Sequence, residues 1–420
     1  MQHFTCFSSG RRRLIASLLA ATALVTGLNG CGSSSDLRPS VYSTTWTGAL
    51  SDATQTLPGV PPASPQTFNN QTVRQVVRLS LGGDAMRIKV SNLFGTAPIT
   101  FSGVRVARSS GASGIDAGTD RAVTFNGQPS TTLPAGAEAM SDMIPLAVVP
   151  LSNIAVSMYF ATATPVATVH ALGRQTAYVG AGDQSAAPAI TTVPASTLQS
   201  YYGLASVEAF SHEPAKVVVT FGDSITDGFN STVDAAKRYP NQLDDRLKAA
   251  GLARTGIANE GISGNRWLND FAGPNGNGRF ERDVLNVTGV THVIILLGIN
   301  DIGFASLVPS QVVTADQITG SMTTAITKAK SRGIKVYLAT LLPFKGAGYY
   351  SAEGESKRQA VNAFIRNNKD IDGVIDFDQL MQNPADPTAM NPAYDSGDHL
   401  HPNDAGYGAM AAGIDLAKLQ

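Results

Sequence analysis

The hydrophobic period of the chain changes once, around residues 186–197, and that change constrains the fold more than any other feature. Upstream the period is two. Val77, Leu79 and Leu81 alternate with Arg78 and Ser80, Gly82-Gly83-Asp84 supplies turn residues, and Met86, Ile88 and Val90 alternate with Arg87 and Lys89. Alternation around a Gly-rich turn predicts a hairpin with one buried face. Ile99 to Val106, Ala122 to Phe125 and Ile154 to Phe160 continue the pattern between Gly, Ser, Pro and Asn clusters, with no helical stretch. Residues 41–197 are therefore expected to form an all-β sandwich or jelly roll. Ala186 to Thr197 (AAPAITTVPAST) reads as its Pro/Ala/Thr connector.

Downstream, over residues 198–420, nearly continuous apolar runs replace the alternation, as in strands buried on both faces. They fall at Lys216–Phe221, Gly256–Ala258, His292–Leu297, Ile334–Leu341 and Val374–Phe377. Helical periods separate them. The clearest, Asp316 to Arg332, carries Ile318, Met322, Ala325, Ile326 and Ala329 on one face, with a Thr314/Gln317 capping box before it and Gly333 after it. Strand–helix alternation predicts an α/β domain, a parallel sheet with helices on both sides whose sites collect at the carboxyl ends of the strands.

The first 30 residues have the form of an export signal: Arg11-Arg12-Arg13, then the apolar Leu14–Leu28, too short for a stable span. Leu28-Asn29-Gly30-Cys31 resembles the lipobox of bacterial lipoproteins, which makes Cys31 the expected lipidation site. The remaining cysteine, Cys6, lies in the part to be removed, so the mature chain has no disulfide to form. Residues 31–40 read as a flexible tether. An ordinary secretory signal is the alternative, and the arginines also fit a loose twin-arginine pattern. Gly32 after the cysteine favours the outer membrane by the same resemblance. The expected location is thus exported, as an outer-membrane lipoprotein or else periplasmic or secreted, touching the membrane through the lipid anchor alone. With 31 Lys plus Arg against 32 Asp plus Glu, nothing suggests a nucleic-acid partner.

Polar clusters follow the buried runs where such a sheet would gather them. The first is Gly222-Asp223-Ser224-Ile225-Thr226-Asp227-Gly228, the second Asn259 to Arg266, the third Gly298-Ile299-Asn300-Asp301. The last, Asp395-Ser396-Gly397-Asp398-His399-Leu400-His401-Pro402, precedes the final helix. These four ordered blocks resemble those of the GDSL esterases, or SGNH hydrolases. GDSITDG, GISGNR, Arg279-Phe280-Glu281-Arg282-Asp283-Val284, GINDIG and DSGDHLHP extend the resemblance to a subfamily typified by an arylesterase-like protein of a rumen bacterium's xylanase cluster. The G-x-S-x-G elbow of common α/β-hydrolases is absent from the sequence.

The resemblance implies a flavodoxin-like three-layer sandwich with a central parallel sheet, preceded by the β-rich domain. It implies a serine ester hydrolase with a Ser224–His401–Asp398 triad and an oxyanion hole formed by Ser224, Gly264 and Asn300. The chemistry agrees. A serine hydroxyl needs a base, imidazole titrates near neutrality, and a carboxylate can fix its tautomer. Two backbone N–H groups and a side-chain amide can receive an oxyanion, and a glycine allows close backbone approach.

His399 is a rival base that geometry alone does not exclude; the family's DxxH spacing selects His401. Asp223 and Asp227 are expected to organise the loop, Asp395 to pair with a basic neighbour, and His170, His212 and His292 to be structural. Arg266 and Trp267 are candidates for the substrate cleft, with simple packing the favoured role for the tryptophan. No cofactor and no metal is expected: Cys ligands and H-E-x-x-H are both missing from the catalytic region. The expected substrates are small-molecule or carbohydrate esters with short acyl groups. A lipase or arylesterase, an acyltransferase on the same machinery, and a carbohydrate-binding surface lipoprotein are the alternatives.

Overall fold

The computed structural model describes residues 41–55 and 64–420; the export signal, Cys31 and the tether lie outside the described residues. Upstream of residue 212 the chain is built of antiparallel strands. Gln71–Arg78 lies between Asn153–Phe160 and Ala177–Ala181, with Gly103–Gly111 beyond the former and Thr192–Leu198 beyond the latter. A second sheet runs Val41–Thr47, Leu204–Ser211, Ala85–Ser91, Glu138–Met140. Val73, Val77, Val106, Ile154, Val156 and Met158 from the first share one core with Met86, Ile88, Val90, Leu204 and Val207 from the second.

Two expectations are corrected here. Residues 71–78 and 85–91 do not form a hairpin but belong to different sheets. The link between them bonds to distant segments: Leu79 N donates to Ser152 O, Ser80 N to Thr45 O, Gly83 N to Val148 O and Asp84 N to Phe210 O. Gly83 serves close approach rather than a tight turn, since a Cβ there would stand 2.4 Å from Phe210 O. Alternation reports which face is buried, not which strand is the partner. The connector is also a misreading. Thr192–Leu198 is a strand at the edge of its sheet, a place where Pro194 breaks no shared ladder, and Leu204–Ser211 then inserts between Val41–Thr47 and Ala85–Ser91. The β-rich region thus runs to Ser211, past the expected limit at 197.

The second half is built on a five-stranded sheet in the order Thr255–Gly261, Lys216–Gly222, Val290–Leu296, Lys335–Ala339, Gly373–Ile375, every pair in it parallel. Tyr239–Ala249, Ala315–Ser331, Ala352–Asn367 and Asp404–Ala412 are the main helices. The Thr314/Gln317 capping box is formed in both directions. Lys216–Gly222 comes first in sequence yet has neighbours on both sides, so the loops after it and after both neighbours converge at one sheet end.

The two halves are stitched together. Thr44 N donates to Thr288 O at 2.9 Å, Thr47 Oγ1 to Asn259 O at 3.0 Å, and Arg78 pairs with Asp245 at 2.6 Å. Among the described residues no helix is long and apolar enough to cross a membrane.

Candidate active site

The buried strand Lys216–Gly222 delivers the chain to a tight turn, Ser224–Asp227, capped by Asp223, whose Oδ1 accepts from Ile225 N at 3.0 Å. Ser224 heads this turn, so its backbone N–H has no acceptor within the turn. Its Oγ lies 2.8 Å from His401 Nε2. His401 Nδ1 lies 2.7 Å from Asp398 Oδ2. A carboxylate only accepts, so Nδ1 carries the hydrogen and Nε2 is left to accept from the serine hydroxyl. The short spacing works because the Asp398 carboxylate closes its own loop: Oδ1 accepts from Leu400 N at 3.0 Å and His401 N at 2.8 Å. Burial pushes the Asp398 carboxyl up, but the hydrogen bonds from His401 and Leu400 outweigh it and hold the group well below the usual carboxylate range.

Two residues that the sequence did not single out complete this corner. Asn230 Nδ2 donates to Asp398 Oδ2 at 3.0 Å, and the Phe229 ring lies 4.5 Å from that of His401. Both follow directly on the GDSITDG block, which is the one signal that could have found them.

The second loop follows Thr255–Gly261 and is tied to the first by Ile262 N donating to Gly222 O at 3.1 Å. Gly264 has φ +80°, a conformation that a side chain would strain. From the third loop, Asn300 Nδ2 donates one hydrogen to Asn265 O at 3.0 Å, and Asn300 Oδ1 accepts from Tyr349 OH at 3.2 Å. The amide is thereby locked in orientation with its second N–H remaining.

Arg279, part of the quoted motif but given no role there, is buried at the centre of these loops. It donates to Gly222 O at 2.8 Å, Glu260 O at 2.9 Å, Asn265 Oδ1 at 2.9 Å and its ion partner Asp283 at 2.9 Å. One guanidinium thus ties the ends of two strands to the residue after Gly264.

Asp223 and Asp301 are buried, and burial pushes each up to about 7 against the pull of their backbone donors, Ile225 N for Asp223 and Trp267 N and Leu268 N for Asp301. Both hold loops, as expected of Asp223. Asp227 does so too, accepting from Ser263 N at 3.0 Å and Ser263 Oγ at 2.8 Å. His170, far upstream, reaches the same carboxylate, its Nε2 3.0 Å from Asp227 Oδ1.

The two candidate cleft residues are buried, the tryptophan in the packing role favoured for it. Trp267 is 0% exposed, its Nε1 donating to Leu297 O and its ring packed near Phe221. Arg266 is 1% exposed, donating to Asp270 O and lying over the Phe304 ring. Neither offers open surface to a ligand, because the buried Asp301 carboxylate draws the backbone of Trp267 and Leu268 inward. Phe271, Phe304 and Tyr349 cluster beside the loops instead: Phe271 packs against Phe304 with centroids 5.0 Å apart, and Phe271 lies 3.5 Å from where a Gly264 Cβ would stand. His399 pairs with Asp395 at 2.6 Å and is half-exposed, while Ser224 Oγ is bonded to His401.

Residues 220–409 match the sequence model of the GDSL-like lipase/acylhydrolase family. No curated protein matches the chain in sequence. Among solved structures, a GDSL-like lipase from Bacteroides thetaiotaomicron is similar at 26% identity, covering 48% of this chain and 87% of its own, with a TM-score of 0.37. A catalytic mutant of an acetylxylan esterase from Geobacillus stearothermophilus is 20% identical over 49% of this chain and 95% of its own, TM-score 0.39. A carbohydrate acetylesterase family member from Sinorhizobium meliloti is 18% identical over 49% and 99%, TM-score 0.38.

Proposed function

We propose, from the premise that residues 220–409 form a GDSL-like lipase/acylhydrolase domain and that the chain is a carboxylic ester hydrolase, that it cleaves short-chain esters through an acyl-enzyme on Ser224. The observation that carries this reading is the unbroken line of contacts from Ser224 Oγ through His401 to Asp398. His401 Nε2 takes the hydroxyl proton as Oγ attacks the ester carbonyl carbon. Negative charge moves to the carbonyl oxygen, which the N–H groups of Ser224 and Gly264 and the free Asn300 amide hydrogen receive. The C–O bond to the alcohol breaks, and the leaving oxygen takes the proton from His401. Water then attacks the acyl group with His401 again as base, releasing the carboxylic acid and restoring the serine. Asp398 holds the tautomer and stabilises the imidazolium at both stages.

The aromatic cluster of Phe271, Phe304 and Tyr349 packs beside Gly264 and Asn300, and in this reading its rings bound the acyl group, which favours short chains. Carbohydrates are the proposed alcohol component, with export and lipid anchoring at Cys31 placing the enzyme where polysaccharides lie. In this reading the parallel-sheet half is a flavodoxin-like three-layer sandwich and the strands before it a sandwich or jelly roll. The decisive experiment compares wild type with Ser224→Ala on p-nitrophenyl acetate: loss of turnover is expected, and retained turnover would falsify the assignment. An acyl-length series, then added sugar alcohols as acceptors, separates this reading from a lipase, an arylesterase or an acyltransferase.

A further inference from the structure

The β-rich half reaches into the proposed catalytic loops at one buried point. His170, at the end of strand Thr168–His170, is 5% exposed and faces Asp227, which is 1% exposed. Its Nδ1 is 2.9 Å from Ala49 O and its Nε2 is 3.0 Å from Asp227 Oδ1. A carbonyl oxygen has no hydrogen to give, so Nδ1 must donate to it. Nε2 then stands at ion-pair distance from a buried carboxylate oxygen that has no hydrogen-bond partner among the described residues. With a hydrogen on Nε2 as well, His170 and Asp227 form an ion pair between the two regions. The other oxygen of Asp227 receives both the N–H and the hydroxyl of Ser263.

Each end of this link is one step from the proposed chemistry. Asp227 closes the turn that Ser224 opens, and Ser263 immediately precedes Gly264. A second contact braces the following loop: Asp234 accepts from Thr176 N at 2.6 Å and Thr176 Oγ1 at 2.7 Å, and its own N–H donates to Arg174 O. That loop carries Phe229 and Asn230, which pack on His401 and bond to Asp398.

We infer that His170 is a positioning residue, through which the β-rich region sets the distance between the Ser224 turn and the Gly264 donor. The inference rests on the oxyanion assignment above and goes beyond it: the active site is incomplete without the upstream half. An anionic oxygen developing on the substrate is stabilised only by donors already in place, and an error of about 1 Å costs about 10²-fold in rate. A bridge that locks Ser263 to the serine turn guards against that error.

Two near-isosteric substitutions in the full chain separate the donors. The amide nitrogen of Asn stands where Nδ1 does, so His170→Asn keeps the bond to Ala49 and leaves Asp227 without its donor. The amide nitrogen of Gln stands where Nε2 does, so His170→Gln keeps a donor for Asp227 and gives up Ala49. On p-nitrophenyl acetate, His170→Asn is expected to lower kcat by about 10²-fold with KM unchanged, while His170→Gln retains most of kcat. Ser263→Ala, at the far end of the link, is expected to lower kcat as well, and the double variant with His170→Asn to be less impaired than the product of the two losses. Wild-type kcat in His170→Asn, or equal losses in the Asn and Gln variants, overturns the inference. If His170→Asn does not fold, Ser263→Ala decides alone, since unchanged kcat there breaks the link. Turnover that survives Ser224→Ala sinks the reading of the site itself; an inactive Ser224→Ala beside a fully active His170→Asn sinks only the bridge.

Discussion

Two histidine–aspartate pairs stand side by side near the C-terminus, and they differ in one respect that matters. Asp395–His399 and Asp398–His401 each join Nδ1 to a carboxylate oxygen, at 2.6 and 2.7 Å, and each aspartate also accepts the backbone N–H of its own histidine. As isolated dyads they are almost the same object. His401, however, is buried, with Nε2 on Ser224 Oγ and Phe229 over its ring. His399 has a φ of +60°, and its half-exposed ring lies against the backbone of Gly346. A carboxylate behind an imidazole does not make a base; the position of the second nitrogen does. The left-handed turn at His399 rotates two adjacent dyads away from one another, so that only one meets the serine.

The comparison can be broken most severely at the serine. Ser224→Ala is expected to lower kcat by about 10⁶-fold, measured on p-nitrophenyl acetate. If His399 supplied the base instead, Asp398→Asn would be mild; with His401 as base it is expected to cost about 10⁴-fold in kcat while leaving KM nearly unchanged. Asn300→Ala, which removes an oxyanion donor and touches neither dyad, is expected to cost about 10² to 10³-fold in kcat. His399→Ala is expected to keep wild-type kcat and to lower stability by no more than about 1 kcal/mol, read from thermal melts.

Acidity sharpens the contrast in stability rather than rate. The Asp398 carboxyl is held low, so its stabilising contribution is present above the ordinary carboxylate pKa and vanishes only as pH falls well into the acid range. Asp223 and Asp301 have the opposite sign. Their folded pKa values of about 7 exceed the unfolded one, so their contribution is whole at acid pH and is lost as pH rises through 7. The melting temperature is therefore expected to fall between pH 5 and pH 8, and the fall to be shallower in Asp301→Asn. A flat profile contradicts this.

Much of the catalytic half was legible because its signals are local. Buried runs mark the parallel strands, the Thr314/Gln317 box marks a helix start, Ser224, Gly264 and Asn300 lie in the loops after three of those runs, and Asp398 and His401 lie just before the last helix. What escaped depends on partners far along the chain. The alternation at 77–90 gave the buried face but not the switch between sheets, because period says nothing of register. Pro194 disguised an edge strand as a linker. Packing was the favoured role for Trp267, but nothing local showed the buried Asp301 carboxylate that draws its backbone inward. His170 reaches Ala49 and Asp227, and Arg279 reaches Gly222 and Glu260, all far along the chain, and no spacing rule points to those targets.

The pairing of Val41–Thr47 with Leu204–Ser211 has a further consequence, in time rather than in space. The earliest described strand has its sheet partner at the very end of the β-rich region, so it must wait while everything between them is made. Such long-range closure is slow compared with local helix formation and leaves strand edges open meanwhile. The serine strand starts at Lys216, directly behind that late partner. The nucleophile is thus synthesised at the moment the upstream sheet can first close, which couples the birth of the active site to the completion of the region before it.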